Sequence, residues 1–489
     1  FFLPFGVTTL LGRPPAENAE LWLAGLFLVS VGVPFFAVSA NGPLLQAWFA
    51  RTGHPHASDP YFLYGASNIG SFFALISYPF LVEPLVGVHL QAQLWMGGFL
   101  ALMVAIAGCG IMMMRAGDAA AAVSAPVVVE ESPAPSFTDK AIWVGLAMIP
   151  SGLLVAVTAH ISTDIATAPF LWVLPLALFL LTFVITFQRE PILKHRWVVV
   201  THPILMLTVS VILVAGLAFN LFVMFALHLG VFFVTAMLCH GELVRRRPGA
   251  QHLTAFYLWM SFGGVVGGVF AGLIAPNAFN SVVEYPILLV ASLAVLVAAL
   301  WPMEAGARRE ETGDYVKWSA IALGIGGLLI APLLVGFDAR SINGVQWLAF
   351  AAITWGGLML LRAHHRRFVP MITVMLAVLF IYEDRRTPDT GTVRSFFGVH
   401  KLMDSPDGQF RLLVHGTTIH GAERIRTEDG KPYDGAPQPA TYYHHAGPMV
   451  GAIKAVREAR GGVIPGVHAI GLGAGSLSCH AKREENWVY

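Results

Sequence analysis

Charge is scarce in this sequence. Asp, Glu, Lys and Arg make up only 12% of 489 residues, against about 25% in an average soluble domain. The 30 basic and 29 acidic residues nearly cancel, leaving a formal net charge of +1. Nothing in that balance points to a nucleic-acid partner. Cysteine is scarcer still. Cys109, Cys239 and Cys479 lie far apart with no CxxC spacing, so neither a disulfide framework nor a metal site is expected. An initiating methionine is also missing. The chain opens at Phe1 and stops at Tyr489 inside an apparent strand, and it reads as a fragment of a longer protein.

Apolar side chains are what the sequence has in quantity: 56% of the residues, with a mean hydropathy of +0.67. A chain this apolar needs an apolar solvent, and a lipid bilayer supplies one. A helix needs about 20 apolar residues to cross the hydrocarbon core. Twelve segments are candidates: Leu21–Ala50, Phe62–Val86, Leu94–Met114, Ile142–Ala159, Phe170–Phe187, Trp197–Leu217, Phe219–Cys239, Ala255–Ile274, Ile287–Trp301, Trp318–Val335, Val345–Leu361 and Phe368–Tyr382. Residues 1–114 therefore form a first membrane helix group and 141–383 a second. Between them, 115–140 is rich in Ala, Ser and Pro and reads as a flexible linker.

Basic residues crowd one set of alternate loops, among them Arg189, Arg196, Arg245, Arg246, Arg247, Arg308, Arg309, Arg366 and Arg367. The opposite set holds few: Arg13, Arg340, Arg385 and Arg386. The crowded set is expected on the cytoplasmic side of a bacterial inner membrane. Twelve full crossings then place everything after Tyr382 outside, where cytosolic nucleotide cofactors are absent. The other possibility is a miscounted crossing, such as a re-entrant last segment, with the terminal domain in the cytosol.

Residues 384–489 have a soluble composition. Ser395–Met403 and Phe410–Ile419 read as strands joined at the turn Ser405-Pro406-Asp407-Gly408, within a β-region over 394–446. From 447 the pattern changes. Met449–Arg460 has one apolar helical face at Val450, Ile453 and Val456. Val467–Ile470 reads as a buried strand that runs into Gly471-Leu472-Gly473-Ala474-Gly475-Ser476, then a helix start, then a strand at Trp487–Tyr489. Strand, glycine turn and helix open a βαβ unit. The glycines let backbone approach a ligand, and the helix start offers free N–H groups.

Several polar groups interrupt the apolar segments: Asn41, Asn68, Glu83, His160, Asp164, His202, His228, Glu242 and Glu284. Ionisable groups in hydrocarbon are costly and usually face a cavity or a partner. Asp164 and Asn68 are the candidates for a membrane-domain role. Asp164 has a plainer reading as a cap on the helix that follows Pro169. His415 and His420 are five apart, which on one continuous strand puts them on opposite faces. The Gly263, Gly264, Gly267, Gly268 and Gly272 series reads as close helix packing.

Some of these stretches together resemble a known family. They are Arg394–Val399, Val414–Gly421, Thr441–His444, Gly447-Pro448 and the glycine run, with Asp59–Tyr64, Ser67–Ser71, Ser162–Ala166, Cys239–Leu243 and Ser261–Gly264 in the membrane part. They are similar to the bacterial fused membrane/spermidine-synthase-like family, and the likeness covers essentially the whole chain. It implies an α-helical polytopic, transporter-like membrane bundle joined to a C-terminal α/β Rossmann-like spermidine-synthase-type domain, incomplete in this chain. Such synthases transfer an aminopropyl group from decarboxylated S-adenosylmethionine to an amine, with an acidic residue taking the proton. By that likeness Gly471, Gly473, Gly475 and Ser476 would bind S-adenosylmethionine or its decarboxylated form. Tyr442, His415 and Thr417 would border a polyamine or other amine. The pattern departs from the synthases at three places: His415 stands for an Asp, the Glu after the Tyr-His stretch is missing, and the glycine run lacks its Asp. Three roles follow as alternatives: a membrane-tethered transferase, a transporter with a degenerate synthase domain, or a non-catalytic subunit of a larger membrane complex.

Overall fold

In a computed structural model, residues 11–12, 15, 19–52, 54–57, 59–123, 133–165, 171–188, 190–217, 219–300, 305–362, 364–386, 391–395, 398–416, 418–471 and 473–489 are described. All twelve apolar segments are helical. Among the described residues ten helices are long and apolar enough to cross a membrane, and Val173–Thr186 and Glu284–Ala299 are shorter apolar helices. The protein is a multi-pass helical membrane bundle with a small sheet-containing region at its C-terminal end. In order the helices are α1 (Leu21–Phe49), α2 (Phe62–Leu85), α3 (Val88–Val123), α4 (Phe137–His160), α5 (Val173–Thr186), α6 (His195–Ala215), α7 (Leu221–Arg245), α8 (Ala250–Ala278), α9 (Glu284–Leu300), α10 (Ala305–Leu334), α11 (Gly344–Leu361) and α12 (His365–Arg386).

Both edges of the expected linker differ from the sequence expectation. The helix α3 continues to Val123, into the stretch read as a linker. Its run Ala119–Ala122 consists of the best helix formers, and no proline intervenes before Pro126. On the other side, Ser136 starts α4 with a capping box, its hydroxyl accepting from the Asp139 N–H at 3.2 Å. Four short π-helical turns interrupt the α-helical pattern among the described residues: Leu28–Gly32, Tyr78–Val82, Ile161–Ile165 and Phe270–Ile274.

The core lies among α4, α6, α7 and α9, where Leu153, Met206, Leu207, Val231, Phe232 and Leu289 are fully buried. Helices α4 and α8 approach most closely, as the glycine series implies. A Cβ on Gly263 would run into the Val144 carbonyl, and one on Gly267 into the Met148 carbonyl. Without a hydrophobic drive between helices in lipid, such backbone contact is what holds them together.

The ends of the bundle are distinguishable. Trp143, at the start of α4, donates to the Arg246 carbonyl (3.1 Å), and Arg246 donates to Ala298 at the end of α9 (3.0 Å). Arg245, Arg246 and Arg247 thus mark one end. Glu242 lies buried there among Arg245 (2.7 Å), Arg246 (3.2 Å) and His195 (2.8 Å). At the other end His160 of α4 meets His228 of α7, ring centroids 4.6 Å apart.

After α12, four strands form an antiparallel meander in the order β1 (Thr392–Ser395), β2 (Gly398–Asp404), β3 (Phe410–His415), β4 (Thr418–Arg424). The expected turn at Ser405–Gly408 joins β2 to β3, with Gly408 at φ +67°. The expected single strand Phe410–Ile419 is instead two strands. Gly416, at φ +58°, reverses the chain there. Helix α13 (Pro448–Ala459) follows, then the parallel pair β5 (Gly466–His468) and β6 (Asn486–Val488). The helix expected after the glycine run is only a five-residue 3₁₀ turn, Ser476–His480. Ala481 returns to extended backbone, which ends the turn after one short 3₁₀ segment.

Candidate functional site

The glycine loop leaves the end of β5 with Gly471 at φ +91°, Gly473 at +56° and Gly475 at +71°. L side chains adopt this region only at a cost, so three glycines in alternation are what allow the loop to turn so tightly. A Cβ on Gly473 would lie 2.8 Å from the Tyr443 hydroxyl, and one on Gly421 of β4 would collide with Ala474. The loop is therefore wedged between β4 and the Thr441–Tyr443 turn.

Between loop and meander opens a cavity of about 500 Å³, lined by Arg411, Glu423, Gln438, Gly475, Ser476 and Cys479 among others. That volume is within the ~300–1,000 Å³ range of small-molecule sites. The lining carries a cation, a carboxylate, an amide and hydroxyls, a set suited to a zwitterionic ligand.

The turn beside the loop is strained. Thr441 sits at φ +59°, the one non-glycine at positive φ among the described residues. A β-branched residue is rarely found there, and such outliers persist where the surroundings over-determine them. Tyr443 is buried next to it, and its carbonyl accepts from His480 Nε2 at 2.8 Å, so that nitrogen carries the proton. The neighbouring Tyr442 phenol and partial burial push the Tyr443 hydroxyl up to about 12.

Of the residues singled out in the sequence, Gly475 and Ser476 line this cavity. Tyr442 is 43% exposed and donates to the His420 carbonyl at 3.3 Å. His415 is elsewhere, at the end of β3 over the membrane bundle. Its ring stacks on His400 at 4.8 Å and lies 5.8 Å from His420. The opposite-faces expectation for His415 and His420 is thus corrected. A bulge between Leu413 and Val414 leaves His420 without a register partner, and the Gly416 turn folds the two histidines together. Among the described residues no three His, Cys, Asp or Glu converge as a metal site. Thr417 lies outside the described residues. Asp164 is in the π-turn Ile161–Ile165, but its side chain lies outside them, as do residues 166–170 of the proposed cap. Asn68 is buried and donates to the Tyr64 carbonyl of its own helix at 2.8 Å.

No protein-family model, curated protein or solved structure matches the chain.

Sequence reasoning missed the two ion pairs that organise this region. The Glu485 side chain is covered and bound bidentately by Arg457 of α13 (2.7 and 2.5 Å). It also accepts from the Ile464 N–H (3.1 Å), the Lys482 N–H (3.1 Å) and the Trp487 indole (3.0 Å). These donors, Arg457 first, hold its carboxyl well below the usual range. The second pair joins the two parts of the molecule. Arg394 of β1 reaches Glu284 at the start of α9, and Gly416 sits so close to the Thr163 carbonyl that no Cβ could fit. The available signal was Glu284 itself, a carboxylate in an apolar context that needs a cation.

Proposed function

We propose that this is a bacterial inner-membrane protein of the fused membrane/spermidine-synthase-like kind, whose synthase-like domain faces outward as a docked, non-catalytic module of a larger membrane assembly. One observation carries this reading. The meander rests on Thr163 and Glu284, at the bundle end remote from Arg245, Arg246 and Arg247. Basic loops stay in the cytoplasm, so the domain is on the other side, away from cytosolic adenosyl cofactors. The departures at His415 and in the glycine run agree with lost transfer chemistry. A partner has room to bind: in α3 none of the apolar window within Val88–Arg115 is buried, against 61% for α6.

The test is purification from native membranes. The reading expects co-purification at fixed stoichiometry and no heat of binding with S-adenosylmethionine. A solitary protein that binds the cofactor would overturn it.

A second reading, a membrane-tethered aminopropyl transferase, is supported by the glycine loop. The cavity would accept an adenosyl amino acid, with Gly475 and Ser476 at the loop side and Glu423 and Arg411 opposite, while Gly471 and Gly473 shape the loop behind them. Calorimetric binding of decarboxylated S-adenosylmethionine that disappears in Gly473→Val would favour it over the first. Sidedness decides between them, because a domain in the cytosol meets the cofactor and an exported one does not.

A further inference from the structure

We infer that a second site, between the bundle and the meander, binds a single-chain amphiphile with an anionic head. A cavity of about 320 Å³ lies there, separate from the glycine loop. Its floor comes from the membrane helices: His160, Leu213, Val214, Tyr285 and Phe380. Its roof is Val399, Lys401 and Gly416 of the meander. The site is therefore composed only when the soluble domain is docked.

The lining chemistry selects the ligand. No Asp or Glu is among its described lining residues. The nearest carboxylate in sequence, Glu284, is already engaged by Arg394 on both oxygens. A cationic amine or polyamine would thus be desolvated without a counter-charge. Lys401 instead brings an ammonium, and no carboxylate among the described residues pairs with it. His160 stands opposite, its ring stacked on Tyr285 at 5.2 Å, and Tyr285 hydrogen-bonds His228 Nδ1 at 2.9 Å. This buried set fixes the His160 ring at the wall. The other walls are aliphatic and aromatic. The volume is near the lower end of ligand sites, ~300 Å³, so one acyl chain fits and a two-chain lipid does not. An anion against Lys401 with a chain along Leu213, Val214 and Phe380 satisfies every wall.

The experiment uses the full chain in nanodiscs, with empty nanodiscs as the blank. Binding is measured by calorimetry for decanoate, lysophosphatidylglycerol, decanol and decylamine. The expected order has at least one of the two anions binding about tenfold tighter than decanol, the worth of one charge-assisted bond, and decylamine weakest. Decanoate alone identifies a free acid as the source; lysophosphatidylglycerol alone identifies a lipid. Lys401 is exposed on its strand, so Lys401→Gln and Lys401→Glu should fold, with unchanged melting as the check. Both should abolish the preference for anions. Decylamine binding as tightly as decanoate, or unchanged anion affinity in both variants, overturns the inference.

Discussion

Arg394 holds Glu284 with both ends of its guanidinium, at 2.6 and 3.0 Å, and a third bond runs from it to the Ser281 carbonyl at 2.6 Å. The side chains are 7% and 1% exposed. This pair ties β1 to α9, and it is what docks the soluble domain on the bundle. Removing one partner of a buried pair costs about 3–5 kcal/mol, because the other charge is left stranded. Arg394→Ala or Glu284→Gln should therefore release the meander. Hydrogen exchange in β1–β4 is expected to rise sharply in either single variant, and less than additively in the double.

Gly416 makes the neighbouring contact. A methyl there meets the Thr163 carbonyl, which is backbone and cannot step aside. Gly408 has a similar φ of +67° but open space around it. Gly408→Ala should cost only the left-handed strain, about 1–2 kcal/mol. Gly416→Ala should cost more and also raise protease sensitivity of the meander. Equal effects of the two would contradict the docking geometry.

The Glu485 carboxyl is held down by its donors. A carboxylate with a lowered folded-state pKa contributes stability above its unfolded value of about 4.3, and that contribution is lost as pH falls below it. Melting of the C-terminal domain should thus begin to drop below about pH 4.5 and keep falling as the pH is lowered further. Glu485→Gln should be less stable at neutral pH and should show a flatter acid limb.

Thr441 stores strain at φ +59°. Glycine at this position has no Cβ penalty, so Thr441→Gly should stabilise the domain by about 1 kcal/mol. A scan of thermal melting checks this. Destabilisation would mean that the Thr441 side chain does something its backbone angle does not reveal.

The bundle was legible because lipid exposure imposes a coarse rule. Runs such as Leu21–Ala50 and Phe219–Cys239 must be apolar throughout, and all twelve such runs are helices. Ends were less legible. Pattern cannot say that α3 extends to Val123, because a polar-faced helical turn and an alanine-rich linker have similar composition. The glycine loop announced itself by residue type, but its neighbours did not. Tyr443, not the more exposed Tyr442, packs on Gly473. The register of His415 and His420 hung on a one-residue bulge, which alternation along a strand cannot foresee. Arg394–Glu284 and Arg457–Glu485 join residues 110 and 28 positions apart, and no local pattern encodes such pairings.

The proposed outward placement puts the C-terminal domain on the side away from Arg245, Arg246 and Arg247. The chain carries its own probe. Cys479 is exposed in the soluble domain, Cys239 is buried, and Cys109 is in the apolar helix α3. A membrane-impermeant maleimide applied to intact spheroplasts should label the wild type and spare Cys479→Ser. Labelling of Cys479 only after the membrane is broken would contradict the account.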